Sequence, residues 1–162
     1  MPSTAKDVVQ VTSRDRALLV SLRPRFAHAI LHGGKSVELR RQRVAAQPGA
    51  TLVLYASAPV KAVVGTARLE RVDVNTHDHV WTEHRHRLGL SRDEYDDYLQ
   101  GSQIASALVL TDVWPLSDPL TLAMLREDDQ FQPPQSYRYI SMTDPQPLRT
   151  LVMAEGSNKI AC

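Results

Sequence analysis

The sequence is poor in cysteine, in aromatic side chains and in long apolar runs, and each shortage excludes something. Its one cysteine, Cys162, stands at the last position. No disulfide can therefore close within one chain, and no zinc site built on several cysteines can assemble. A terminal cysteine also fails the carboxy-terminal lipidation box, where the cysteine lies three residues before the end. No apolar stretch reaches the roughly 18 residues of a membrane span. Residues 1–11 lack the basic start, apolar middle and small-residue cleavage site of a secretory signal. The expected setting is the cytoplasm, with no membrane partner.

What is present suits one folded unit. Hydrophobic residues make up 43% of the 162 and charged residues 23%, the balance of a globular domain. The expected organisation is a flexible lead-in over 1–16, one domain over 17–142, and a C-terminal extension over 143–162 with no assignable structure. Net charge is only +1, yet the signs are segregated. Between Arg14 and Arg43 stand eight basic residues (Arg14, Arg16, Arg23, Arg25, Lys35, Arg40, Arg41, Arg43) against Asp15 and Glu38. Between Asp112 and Asp129 five acids face Arg126 alone. Fifteen of the 19 basic residues are Arg, whose planar fork suits phosphates and stacks on bases. A polyanionic partner follows; a solvated charged face is the plainer alternative.

Along the chain, Ala17 to Leu22 reads as a short buried strand. Pro24 then suits a first helical turn, and Phe26, Ala27, Ile30 and Leu31 give one helical face up to Gly33-Gly34. In Ser36 to Arg40 alternation places Val37 and Leu39 toward a core, with Ser36, Glu38 and Arg40 on the opposite face. Gln47-Pro48-Gly49 is a turn, Leu52 to Tyr55 a strand, Ser57-Ala58-Pro59 a break, and Val60 to Val74 a long strand bent at Gly65. A helix capped by Asp78 is expected over His79 to Arg87. A second begins at a capping box, Ser91 with Glu94, with Leu90 stapled against Tyr95, and ends at Gly101. On that helix Tyr98 is expected to pack against the barrel. Ile104 to Trp114 returns to strand, Asp118-Pro119 starts a helix through about Glu127, and Tyr137 to Ser141 is a last strand. The class is α+β: a small mixed β-barrel with helices packed at its ends.

The segment Gly33-Gly34-Lys35-Ser36-Val37-Glu38-Leu39-Arg40 contains Gly-x-Lys-x-x-Glu-x-Arg after a short helix. This resembles the signature of ASCH domains, relatives of the PUA RNA-binding fold. The order of neighbouring segments is similar too: Ser21-Leu22-Arg23-Pro24, then Leu54-Tyr55-Ala56-Ser57 and Val63-Val64-Gly65. The stretch around Gly89 to Gly101 resembles a helical insertion of one bacterial branch. The resemblance covers about Leu18 to Ile140. It implies a PUA-like barrel with a cleft between its wall and the helices that binds RNA or a nucleotide, and the expected role is binding, with regulation as its purpose.

The residues support that implication independently. Backbone N–H groups near Gly33 and Gly34 can approach a phosphate, Lys35 adds a point charge, and Arg40 a bidentate fork. Glu38 either orients the two cations or accepts hydrogen bonds from a base or sugar; a purely structural ion-pair network is the plainer reading. Arg23, Ser36, Arg41 and Ser57 complete the expected binding set. Tyr55 is the expected base-stacking platform, and Gln135, Ser136 and Arg138 are placed across the cleft. The partner is RNA or a nucleotide, with DNA the other polyanion of matching chemistry, and no cofactor is called for.

Two enzymatic alternatives stand beside binding. One subgroup of the family resembles amidohydrolases that deacylate N4-acetylcytidine with a Lys, a Thr three residues later and a distal Glu. Here Lys35 matches, but Glu38 replaces the Thr and His86 stands near the distal position. Ribonuclease activity, also reported for bacterial members, would need acid-base or metal-assisted chemistry. If the site is catalytic, Lys35 and Glu38 are the candidates. His79, Glu83 and His86 at i, i+4 and i+7 are a weak metal candidate, against which Trp81, His84 and Leu88 could form a buried stripe. A third reading is a protein-interaction module that meets a basic partner through an acidic helix over Asp118 to Asp129.

Overall fold

The computed structural model describes residues 17–127 and 130–157, the last five of these by backbone alone. The expected lead-in, with Arg14 and Arg16, lies outside the described residues, as do Asp128, Asp129 and Cys162. Six strands form one curled sheet: β1 (Leu18–Leu22), β2 (Val37–Arg40), β3 (Thr51–Ala56), β4 (Ala62–Asn75), β5 (Ala105–Thr121) and β6 (Tyr137–Tyr139). Five helices accompany them: α1 (Pro24–Leu31), α2 (His77–His84), α3 (Arg92–Leu99), α4 (Leu122–Leu125) and α5 (Gln146–Ser157). Strand order is β2-β5-β4-β3-β1-β6; β1 and β3 run parallel and the other pairs antiparallel. This is the α+β half-barrel that the alternation of strands and helices predicts.

Period-two alternation sorts the core. Leu18, Val20 and Leu22 of β1, Leu52 and Leu54 of β3, and Leu108 and Leu110 of β5 share one face with Ala27 and Ile30 of α1. The alternate residues point the other way. Val37, Leu39, Ala107 and Val109 pack with Val80 of α2 and with Tyr95 and Leu99 of α3. Leu19, Val53, Tyr55 and Val63 pack with Leu125, Phe131 and Leu148. Each fully buried Leu contributes about 1.5–3 kcal/mol. Leu148 belongs to α5, so a stretch with no assignable structure in the sequence supplies a core residue.

Some boundaries move for identifiable reasons. The helix expected from Asp118 is instead strand: β5 continues to Thr121, and only Leu122–Leu125 is helical, capped by the Thr121 hydroxyl accepting from Met124 N–H. Beyond Leu110 this strand pairs with β4 alone, so Pro115 and Pro119 sit where one ladder edge is open, which is where a strand tolerates proline. The acidic interaction helix therefore does not form as drawn. Likewise α2 starts two residues early, because Thr76 rather than Asp78 is its cap; Thr76 Oγ1 accepts from His79 N–H at 3.3 Å. The capping box at Ser91 forms as expected, and the register shift at Gly65 supplies the expected bend in β4.

Candidate ligand cleft

The motif strand turns its charged residues toward a cavity of about 1100 Å³. The cavity lies between β2, the start of α1, the end of β3, α3 and the Pro133–Ser136 segment. Val37 and Leu39 are taken by the core beneath α2 and α3, so Glu38 and Arg40 face the opposite way. Lys35, just ahead of the strand, reaches the same place from the end of α1. Its Nζ donates to Leu88 O and lies 3.5 Å from Glu38 Oε2, while Arg40 Nη2 lies 3.3 Å from Glu38 Oε1. Side-chain exposure is 2%, 9% and 10% for Lys35, Glu38 and Arg40. One carboxylate thus bridges two buried cations. Burial pushes the Lys35 ammonium below its ordinary range; Glu38 opposes that shift. Arg40 also donates to Ser21 O at 2.9 Å and to Ser136 Oγ at 3.1 Å.

Of the expected binding residues, Arg23, Lys35, Glu38, Arg40, Arg41, Tyr55 and Ser57 all line this cavity; Gly33, Gly34 and Ser36 do not. The N–H groups of Gly33 and Gly34 are used in ending α1, bonding Ile30 O at 3.3 Å and Ala29 O at 2.8 Å, with Gly33 at φ +84°. They are capping donors, not open phosphate donors. Ser36 precedes the strand rather than joining its charged face, and its Oγ accepts from Arg87 Nε at 2.8 Å. Gln135 and Ser136 line the cavity as expected. Arg138 instead makes a bidentate pair with Asp144 at 2.7 and 2.9 Å.

The two tyrosines exchange roles. Tyr55 is 3% exposed and its ring packs with Phe131 and Leu125, so it offers no open face for stacking; burial also pushes its phenol pKa up. Tyr98, expected as packing, is 40% exposed and lines the cavity, while Tyr95 and Leu99 hold α3 to the sheet. Burial of its hydroxyl end, then Arg40 in the opposite sense, governs the raised Tyr98 pKa. Phe26, Leu90 and Lys61 are also on the wall. Lys61 was not anticipated; the signal available was its place at the end of the Ser57-Ala58-Pro59 break, where its backbone is left-handed at φ +51°.

The histidines lie apart from the cleft. His84 Nε2 meets Asp73 Oδ2 at 2.8 Å in a buried setting, and His79 Nε2 lies 3.6 Å from the same oxygen. The helix ends at His84, so His86 does not continue the face of His79 and Glu83. Among the described residues no three His, Cys, Asp or Glu side chains are grouped to hold a metal. His84 and Leu88 are buried and Trp81 partly so, the stripe weighed against the metal reading.

Comparison with known proteins agrees with the fold. A relative named "ASCH domain-containing ribonuclease", from Zymomonas mobilis, is 39% identical over 137 residues, spanning 82% of this chain and 90% of the relative. The chain belongs to the ASCH family. A family model described as a domain of unknown function (DUF365) matches residues 17–125 of the ASCH domain. The crystal structure of ASCH from Zymomonas mobilis superposes with a TM-score of 0.77 at 36% identity, covering 85% of this chain and 96% of that one. A serine-to-alanine variant of ZmASCH gives 0.77 at 34% identity, covering 85% and 97%. Among the described residues of the ASCH domain, no helix is long and apolar enough to cross a membrane.

Proposed function

We propose that this ASCH domain binds RNA in the cleft. The observation that carries the reading is the character of the cavity wall: five basic side chains, Arg23, Lys35, Arg40, Arg41 and Lys61, against three acidic ones, Glu38, Glu94 and Asp97. Arg23, Arg41 and Lys61 are exposed and stand at the rim as phosphate contacts. The exposed ring of Tyr98 and the part-buried ring of Phe26 offer apolar surface to bases. The acidic α3 beside them turns a phosphate backbone toward the Arg23 side.

The test is the affinity of a labelled single-stranded RNA as a function of salt. Affinity falls with rising salt by about 0.7 logarithmic units per decade for each phosphate neutralised. Binding indifferent to salt, or equally tight to any acidic polymer, overturns the reading.

A second reading, RNA cleavage, is favoured by the printed name of the Zymomonas relative. The wall carries groups suited to acid-base chemistry: the phenol of Tyr55, the hydroxyls of Ser57 and Ser136, and the ammonium of Lys61. Attack of a ribose 2′-hydroxyl on the adjacent phosphorus needs a proton acceptor, a proton donor at the leaving oxygen, and a cation near the developing charge. The Glu38 carboxylate takes the proton of the attacking hydroxyl, the Tyr55 phenol supplies one to the leaving oxygen, and Lys61 is the cation near the developing charge. Incubation with labelled RNA, with and without chelator, decides: product lost in Lys61→Ala supports cleavage, and no product at any enzyme concentration leaves binding alone.

A further inference from the structure

The segment that carries Ser136 into the cleft wall is held at its start by an arginine outside that wall. Arg126, which ends α4, donates from Nε to Phe131 O at 2.9 Å and from Nη2 to Gln132 Oε1 at 3.2 Å. Pro133, Pro134, Gln135 and Ser136 follow directly and form one side of the cavity, whose lining includes neither Arg126 nor Phe131. The other end of the segment is fixed by Ser21 Oγ donating to Pro134 O at 2.6 Å and by Arg40 donating to Ser136 Oγ.

Arg126 is also tied to both residues that press on the Tyr55 ring. Leu125 precedes it in the chain, and Phe131, 4% exposed, is held by the hydrogen bond to its carbonyl. Burial pushes the Tyr55 phenol pKa up, and the Arg126 guanidinium is the charge that opposes the rise. A proton donor works only when it stands within hydrogen-bond reach of the leaving oxygen, and a misplacement of about 1 Å can cost on the order of 10²-fold in rate.

Resting on the cleavage reading above, we propose that Arg126 is a positioning residue for that reaction, acting through Phe131 and Leu125 on Tyr55. In the step it serves, the ribose 2′-oxygen bonds to phosphorus and gives its proton to Glu38. The bond from phosphorus to the 5′-oxygen breaks, and that oxygen takes the phenolic proton of Tyr55. The products are a 2′,3′-cyclic phosphate and a 5′-hydroxyl, and water then returns a proton from Glu38 to the Tyr55 phenolate. Arg126 touches neither substrate nor reacting atoms. It sets where the phenol stands as the oxygen leaves, and it gives the phenolate a nearby cation.

The experiment uses the full chain and two kinds of substrate: a labelled single-stranded RNA, and the 3′-(4-nitrophenyl phosphate) esters of the four ribonucleosides. Both react by 2′-hydroxyl attack, but nitrophenolate departs without a proton, so only the RNA needs the donor. Arg126→Ala is expected to lower kcat on RNA by about 10- to 100-fold and to leave the esters near the wild-type rate. Lys61→Ala is expected to slow both, because both develop charge on the phosphate. In a Tyr55→Phe background, Arg126→Ala is expected to add nothing to the loss on RNA, as for groups that act as one unit. Arg126→Lys, which keeps the charge and a donor, is expected to recover most of the RNA rate. Arg126→Gln carries the same comparison if Arg126→Ala does not fold. An unchanged RNA rate, equal slowing of RNA and esters, or full additivity with Tyr55→Phe overturns the positioning role while cleavage stands. A wild type that cuts neither substrate overturns both.

Discussion

Arg40, at the end of the edge strand β2, donates to Ser136 Oγ at 3.1 Å, just ahead of β6 at the other edge of the sheet. No backbone ladder joins these two edges. A guanidinium closes the gap, bonded at once to Ser136, to Ser21 O and to Glu38. The first prediction separates these contributions. Ser136→Ala removes one hydrogen bond and is expected to cost about 1 kcal/mol. Arg40→Ala strips a buried carboxylate of a cation and is expected to cost about 3–5 kcal/mol. Urea unfolding of both variants checks the ratio; equal losses would mean that the ion pair adds nothing.

The rim should behave differently from the floor. Arg41 and Lys61 are exposed, so Arg41→Ala and Lys61→Ala are expected to leave the melting temperature within about 2 °C of wild type. Each should lower the salt slope of RNA binding by about 0.7, the share of one phosphate on a single strand. Lys35→Ala is expected to do the reverse, lowering the melting temperature before any effect on slope can be measured.

Gly65 is a steric necessity of the β4 bend. A Cβ there would lie 2.5 Å from Leu31 Cδ2 and 2.8 Å from Trp114 O. The leucine end can turn aside, but the backbone carbonyl cannot. Gly65→Ala is therefore expected to destabilise the fold by about 1–3 kcal/mol, read from the shift in urea midpoint at unchanged slope.

Asp144 links the segment after β6 to Arg138. Burial alone would raise its pKa, but Arg138 and the Ser141 N–H outweigh that and hold the carboxyl below its ordinary range. A depressed folded pKa means stability that is present above the unfolded value, about 3.9, and lost as pH falls through the folded one. The melting temperature of the wild type should thus fall more steeply below pH 4 than that of Asp144→Asn, and the two curves should converge in strong acid. Parallel curves would remove the assigned role.

Much of this was legible in the sequence because the signals were local. Alternation in Val37 to Arg40 fixed which residues face the cleft, and Ser91 with Glu94 marked the start of α3. What was not legible depended on partners distant in sequence. Asp118-Pro119 carries a helix-start signal, yet Val63 and Ala62 of β4 pair with Leu120 and Thr121 and draw the segment into strand. Tyr55 and Tyr98 look alike as aromatics; only the packing of Phe131, Leu125 and Leu148 over one of them decides which ring is open. The glycines suited a phosphate as well as a helix end, and the free carbonyls of α1 claimed them.

Because side chains rather than a strand ladder join β2 to the segment before β6, the calibre of the cleft rests on a few atoms. Exchanging Ser21, Arg40 or Ser136 can widen or narrow the opening without re-registering any strand. Within this architecture, the size of guest admitted can change while the frame that surrounds it stays the same.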